Sequence, residues 1–308
     1  MRDPTLLLPF ALPPAQHAKD LINALKAPAL ALCLARGSQL PEQRFDAFAA
    51  ALPHEILRYG CGPDNSPPLA HQHMQQLGLP PQSGYWFLLQ PVHFHVARDH
   101  LVLTDLRQLP IDEATSRALF DAASPLFLEL GHELQFGDAH HWFIRADSWH
   151  SLRTTTPYAA TGHNVDVWLP SGEHARAWRR LHNEIQMLWH THLVNETREA
   201  QGLPHINALW LWGGAHPDQH TSPPEILMMD ESLIPHAIAD DWGRWLEVMQ
   251  DVERTQLAPL LQQLRSKTID TLTLQLTDAN NVRQWRVSRL DLLKFWRTPS
   301  LATLVRAS

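Results

Sequence analysis

Three features of this sequence predict a mixed α/β fold. An apolar run at residues 5–10, Thr-Leu-Leu-Leu-Pro-Phe, reads as a short buried strand, and an amphipathic helix follows it closely. A strand feeding a helix this early favours an α/β layer over a helical bundle. Residues 271–276 alternate as Thr-Leu-Thr-Leu-Gln-Leu, a half-buried strand, and residues 284–287 return as its partner. Between these ends, Trp178, Leu181, Ile185, Leu188 and His192 form one continuous helical face over residues 174–194.

The remaining elements follow in order. Pro13-Pro14 closes the first strand, and residues 15–25 form a helix with Leu21, Ile22 and Leu25 on its buried face. A second helix is expected over residues 41–52, through Phe45 and Phe48, with Pro53 ending it. Residues 61–84 are rich in Pro and Gly and read as a linker, with a short helix near residues 72–77. Residues 85–89, 92–96 and 101–103 then read as strands. Asp112 caps a helix over residues 113–120, with acidic residues in the first turn, where the helix dipole favours them. Residues 133–136 and 142–144 make a hairpin around Gly137-Asp138. Residues 208–212 form a short apolar strand running into Gly213-Gly214, and a second punctuated stretch extends to Pro224. Residues 241–264 are helical, and residues 290–296 close with a short helix. The expected organisation is residues 1–80, a central region over 81–217, and residues 218–308 packing with the first segment.

Composition removes several function classes. The chain has 308 residues, 44% apolar and 19% charged, enough to bury a sizeable core. Its 25 basic against 32 acidic residues give a net charge of −7. That balance argues against nucleic acid, which needs a basic footprint, and against an anionic membrane surface. Cys33 and Cys61 are too few and too far apart for a disulfide framework, and a reduced cytoplasmic setting is expected. Leu6-Leu7-Leu8 is too short for a signal core, and no run approaches the roughly 18 apolar residues of a membrane span.

Standard catalytic signatures are missing: no Gly-x-Ser-x-Gly elbow, no P-loop, no Gly-x-Gly-x-x-Gly and no His-Glu-x-x-His. Gly213-Gly214 follows a strand like a phosphate loop, but Ala215-His216-Pro217 comes next. Among the 20 histidines, His93 and His95 would share a strand face, whereas His190 and His192 are badly placed to share a metal on a helix. His140-His141 is the third candidate pair.

The most informative stretch runs from Asn195 to Gly214. It places Asn195 and Arg198 at a helix end, turns at Gly202 and Pro204, passes Asn207, and sends Trp210 and Trp212 into Gly213-Gly214. An arginine fork beside amides and open backbone suits a carboxylate or phosphate. Equally, Arg198 answers a helix dipole and the tryptophans pack in the core.

The Asn195-x-x-Arg198 helix end, the Pro204…Asn207 turn and the apolar run into Gly213 resemble the substrate domain of archaeal-type cofactor-independent phosphoglycerate mutases. Asp105 ahead of Glu113-Ala114, and Thr155-Thr156-Pro157 through Gly162, follow the same order. The stretch from Trp178 to Leu188, together with Trp210-Leu211-Trp212-Gly213-Gly214, resembles the bacterial RpfE-type regulatory proteins. Leu6-Leu7-Leu8-Pro9 and Tyr85-Trp86…Pro91-Val92-His93 fit that group too. The resemblance implies an alkaline-phosphatase-like fold with a reduced core and a central α+β substrate-type domain.

Departures from the mutase pattern are informative. Those enzymes use two divalent metals and a phosphoryl-carrying serine. Their first strand ends in Asp-Gly, where this chain has Pro9-Phe10, and their Pro-His-Asp appears as Pro157-Tyr158-Ala159. No histidine follows His236. Two-metal phosphoryl transfer needs clustered Asp and His ligands. The expectation is a non-catalytic regulatory protein without a cofactor. Its anionic-ligand pocket would comprise Asn195, Arg198, Asn207, Trp210, Trp212, Gly213 and Gly214. The alternative is a divergent mutase or phosphatase binding Mn or Zn through relocated ligands drawn from His93, His95, His140, His141, His163 and Asp166. A third reading is a scaffold that meets a protein partner through exposed tryptophans.

Overall fold

Thr5–Leu8 forms a strand in which Leu6, Leu7 and Leu8 are wholly buried. It lies parallel to Leu227–Met229 on one side and to Thr271–Thr277 on the other. The computed structural model describes residues 3–80, 83–219, 221 and 227–305. The fold is mixed α/β, arranged as two compact units. One comprises Met1–Ala47, Pro53–Arg58 and Pro223–Ser308; the other comprises Phe48–Leu52 and Tyr59–Ser222.

In the first unit the sheet continues from Thr271–Thr277 to Asn281–Ser288, antiparallel, with the short strands Ser38–Gln39 and Gln43–Arg44 at its far edge. The expected helix over residues 41–52 is therefore not formed. Gln43 and Arg44 pair with Val282 and Asn281, and the Phe45 amide donates to the Asn280 carbonyl at 2.8 Å. A free sheet edge takes these backbone groups, which a helix over the same residues would have to withdraw from it.

Ala15–Ala24 and Pro28–Arg36 are helices whose buried faces join the sheet in one core with Trp245, Met249 and Trp285. The expected helix over residues 241–264 is a continuous helical path containing a π turn, Glu253–Leu257, between Trp242–Val252 and Ala258–Arg265. Pro259 follows directly and has no N–H to continue the regular ladder. Glu253, 5% exposed, solves a problem elsewhere. Ala27-Pro28 offers no capping side chain, so the Glu253 carboxylate accepts from the amides of Ala29 at 2.6 Å and Leu30 at 3.1 Å. Burial, then the Glu253 charge, pushes the Cys33 thiol up to about 12. Cys33 is a free thiol. At residues 290–296 only a single 3-10 turn forms, Asp291–Leu293.

The second unit is built on an antiparallel sheet ordered Glu133–Phe136, Trp142–Arg145, Trp86–Val92, Ala208–Ala215. The strands expected at residues 85–89, 92–96 and 101–103 form with shifted bounds as Trp86–Val92, Phe94–Ala97 and His100–Leu103, the last two paired with each other. Pro91 is tolerated because pairing with Trp142–Arg145 ends at Leu89. Both faces of this sheet are covered. Phe87, Leu89, Leu209 and Leu211 face a core with Trp142, Trp178 and Trp189. Trp86, Leu88, Val92, Trp210 and Trp212 face the other, as strand alternation requires.

The helix expected over residues 113–120 extends through Glu113–Glu129. Pro125 lies inside it; the Ser124 hydroxyl donates back to the Phe120 carbonyl at 2.8 Å. Among the described residues, no helix is long and apolar enough to cross a membrane. Glu253→Gln is expected to lower the unfolding free energy by about 1–3 kcal/mol, because a buried amide loses its acceptor. An unchanged denaturant midpoint would rule out this cap.

Candidate functional site

The long helix expected over residues 174–194 is two helices, Ala175–His190 and Leu193–Ala200. His192 sits between them in extended backbone, φ −80 and ψ 136, and its Nδ1 accepts from the Val194 amide at 3.2 Å. A ring nitrogen capping the second helix offsets the cost of interrupting the first. Asn195 and Arg198 therefore lie in the short second helix rather than at the end of the long first one.

Asn195 is 1% exposed, and its side chain bridges two segments. Its Nδ2 donates to the carbonyls of Trp189 and Ile206, both at 2.9 Å, and its Oδ1 accepts from the Ile206 amide at 2.8 Å. Arg198, 4% exposed, donates from Nε to the Pro204 carbonyl at 2.8 Å and from Nη1 to the Pro110 carbonyl at 2.9 Å. Its Nη2 is buried without a partner. Burial pushes its pKa below the usual arginine value, and the nearby Asp112 charge opposes that. The guanidinium remains charged.

Asn207 serves as a ladder rung: its Oδ1 accepts from the Phe94 amide and its Nδ2 donates to the Phe94 carbonyl. Trp210 and Trp212 point to one side of their strand, and both indoles are hydrogen-bonded, to the Thr155 carbonyl and to Gln90 Oε1 respectively. Gly213 and Gly214 lie inside strand Ala208–Ala215 rather than in a loop. The Gly213 amide donates to Ser66 Oγ, so it is not open to a phosphate. Gly213 has φ +69, and a Cβ on Gly214 would come within 2.7 Å of both the Phe87 and Tyr85 rings. Close packing requires these glycines.

Of the seven residues singled out in the sequence, Arg198 lines a cleft of about 1170 Å³ within the second unit. One wall is the loop Leu106–Asp112 with the start of helix Glu113–Glu129; the opposite wall is helix Leu193–Ala200 with Gln201 and Leu203. Gln90, Pro91, His140, His141, Tyr158 and His192 complete the lining. Arg107 Nε holds Asp105 at 2.9 and 3.2 Å, and its guanidinium lies 5.2 Å from the Tyr158 ring. Asp112 caps the helix, accepting from the Thr115 amide at 2.7 Å, and that hydrogen bond holds its carboxyl below the usual range. The positive end of the helix dipole thus opens onto the same space.

His141 Nδ1 lies 2.9 Å from Asp138, next to this lining. Burial alone would raise the Asp138 carboxyl; His141 and the amides of His140 and His141 outweigh it and hold it at about 2. Arg198 was readable in the sequence. Arg107 and Thr115 carried no pattern that pointed to a site, and Tyr158 stood out only as a departure from the mutase pattern; a loop and two helices bring the three together only in three dimensions.

The relocated metal ligands do not assemble. Among the described residues, no group of three or more His, Cys, Asp or Glu could hold a metal ion. His93 Nδ1 lies 2.8 Å from the His205 carbonyl, His95 is exposed, and His163 stacks on Trp168. A two-metal centre does not fit these side chains.

No family model matches the chain, and no curated protein matches it. Among solved structures, the PH0037 protein from Pyrococcus horikoshii is similar at a TM-score of 0.51 and 11% identity. That match covers 93% of this chain and 87% of the other. The likeness is one of fold. The cofactor-independent phosphoglycerate mutase from Thermoplasma acidophilum DSM 1728 aligns over 99% of this chain and 94% of its own, at 14% identity and a TM-score of 0.41.

His182, in the stretch that carries the RpfE-type resemblance, is 3% exposed between Trp178 and Phe94, and its Nε2 has no partner. Burial pushes its pKa down to about 4. The unfolded chain therefore binds the proton more readily. Stability contributed by neutral His182 is full above about pH 6.5 and lost as pH falls toward 4, by roughly 3 kcal/mol. His182→Leu is expected to flatten that part of the stability–pH curve. Parallel curves for variant and wild type would show that His182 does not titrate this way.

Proposed function

We propose that this chain is a non-catalytic regulatory protein, of RpfE type and related to the mutases, that binds a small anion in the Arg198 cleft. The observation that carries this reading is a buried guanidinium, lining an open cleft, with one nitrogen uncommitted. A buried donor without a partner is costly, and a carboxylate or phosphate oxygen would remove that cost. Arg107, His140, His141 and His192 also line the cleft, Arg107 held by Asp105 and His141 by Asp138, with Asp112 as the acidic lining residue. The regulatory part of the reading rests on the Trp178–Leu188 and Trp210–Gly214 stretches of sequence.

Arg198 also ties two carbonyls, so Arg198→Ala would cost stability along with any binding. Arg198→Lys keeps the charge and loses the fork, and is the cleaner probe. Calorimetric titration with 3-phosphoglycerate is expected to show binding to the wild type and binding at least about tenfold weaker in Arg198→Lys. Silence in folded wild type would remove the anion site. A coupled mutase assay with added manganese is expected to show no turnover. Metal-dependent turnover would overturn the non-catalytic reading.

A further inference from the structure

One stretch of the first unit is built to hold apolar side chains in water. Leu290, Leu293, Phe295 and Trp296 are 77%, 55%, 73% and 78% exposed. Of the chain's 12 tryptophans, Trp296 alone is exposed; Trp242 is half-buried and the rest are buried. The backbone beneath them is pinned. Arg36 donates to the carbonyls of Leu292 and Arg297, and Arg297 donates back to the Ala35 carbonyl. Asp291 accepts from the Ser288 amide and hydroxyl and from Lys294. The Arg36 guanidinium lies 5.5 Å from the Phe295 ring.

The local charge reverses that of the whole chain. Lys294 pairs with Asp291, and Arg289 pairs with Asp270. Among the described residues, Arg36 and Arg297, which hold this stretch, form no ion pair with a carboxylate. A net charge of −7 repels an anionic surface at long range, but screening beyond about 8 Å leaves a contacting patch to act by its own sign.

We propose that this patch is a peripheral docking surface for an anionic lipid bilayer. Phe295 and Trp296 with the two leucines would enter the interface, and the unpaired arginines would meet lipid headgroups. Side chains this exposed carry no pocket of their own. A bilayer accepts such protruding groups without shape complementarity, whereas a protein partner would have to supply a matching recess. Stable attachment needs both an apolar and a basic signal, and the stretch supplies both.

The test is co-sedimentation of the full chain with vesicles of phosphatidylcholine alone, or mixed equally with phosphatidylserine. The wild type is expected to partition onto the mixed vesicles and to be released by salt. Trp296→Ser with Phe295→Ser, both largely in solvent, should weaken partitioning about tenfold or more. Arg297→Glu, at an exposed arginine of the patch, should weaken it about fivefold or more. Equal binding to neutral vesicles, or undiminished binding in the double variant, would overturn the proposal. So would absence of sedimentation. In that case, a dimer mass by light scattering that disappears in the double variant would assign the patch to a second copy of the chain.

Discussion

The second unit depends on the hydrogen bonds that Asn195 makes across the turn between the Leu193–Ala200 helix and the Ala208–Ala215 strand. Its amide exchanges bonds with Ile206 in both directions and also holds the Trp189 carbonyl at the end of the preceding helix. A helix end, a helix start and a strand entry therefore converge on one buried side chain. Buried polar groups in a low-dielectric interior are costly unless fully engaged, so this arrangement is rigid because the alternatives are penalised. Arg198, one turn further along, fastens the same turn to the Pro110 loop.

Fastening those segments produces the cleft. The Pro110 loop and the short helix form its two walls, and the side chain joining them is the one that lines it with a nitrogen to spare. Structure and recognition share a residue here, so loss of Arg198 would reach both. The histidines weighed as metal ligands have other places: His163 stacks on Trp168, His93 meets the His205 carbonyl, and His95 is exposed.

Aromatic residues are divided unequally between the interior and the surface. In the second unit, Trp142, Trp149, Trp178 and Trp189 pack edge to face on one side of the sheet. Trp86, Trp210 and Trp212 fill the other. Such rings contribute large buried areas, which explains how a chain with few charged residues closes both faces of a four-stranded sheet. The third expectation from sequence, a tryptophan-rich interaction surface, is thus reduced to Trp296 in the first unit.

Strands Thr5–Leu8 and Thr271–Thr277, the Asp112 cap, the hairpin from Glu133 to Arg145 and the shared face of Trp210 and Trp212 were all legible in the sequence. Each rests on local periodicity or on a capping side chain next to its helix. Other features were not local. The Gln43–Arg44 strand exists because a sheet edge offers it partners, and the Pro28–Arg36 helix is capped by a carboxylate from a distant helix. The break at Thr191-His192 interrupts an unbroken apolar period, and there His192 caps the next helix while Asn195 clamps Ile206. The sequence by itself determined the mixed α/β class and singled out Arg198. Only the tertiary structure decided what surrounds Arg198, because partners for buried polar groups come from segments that the chain order keeps apart.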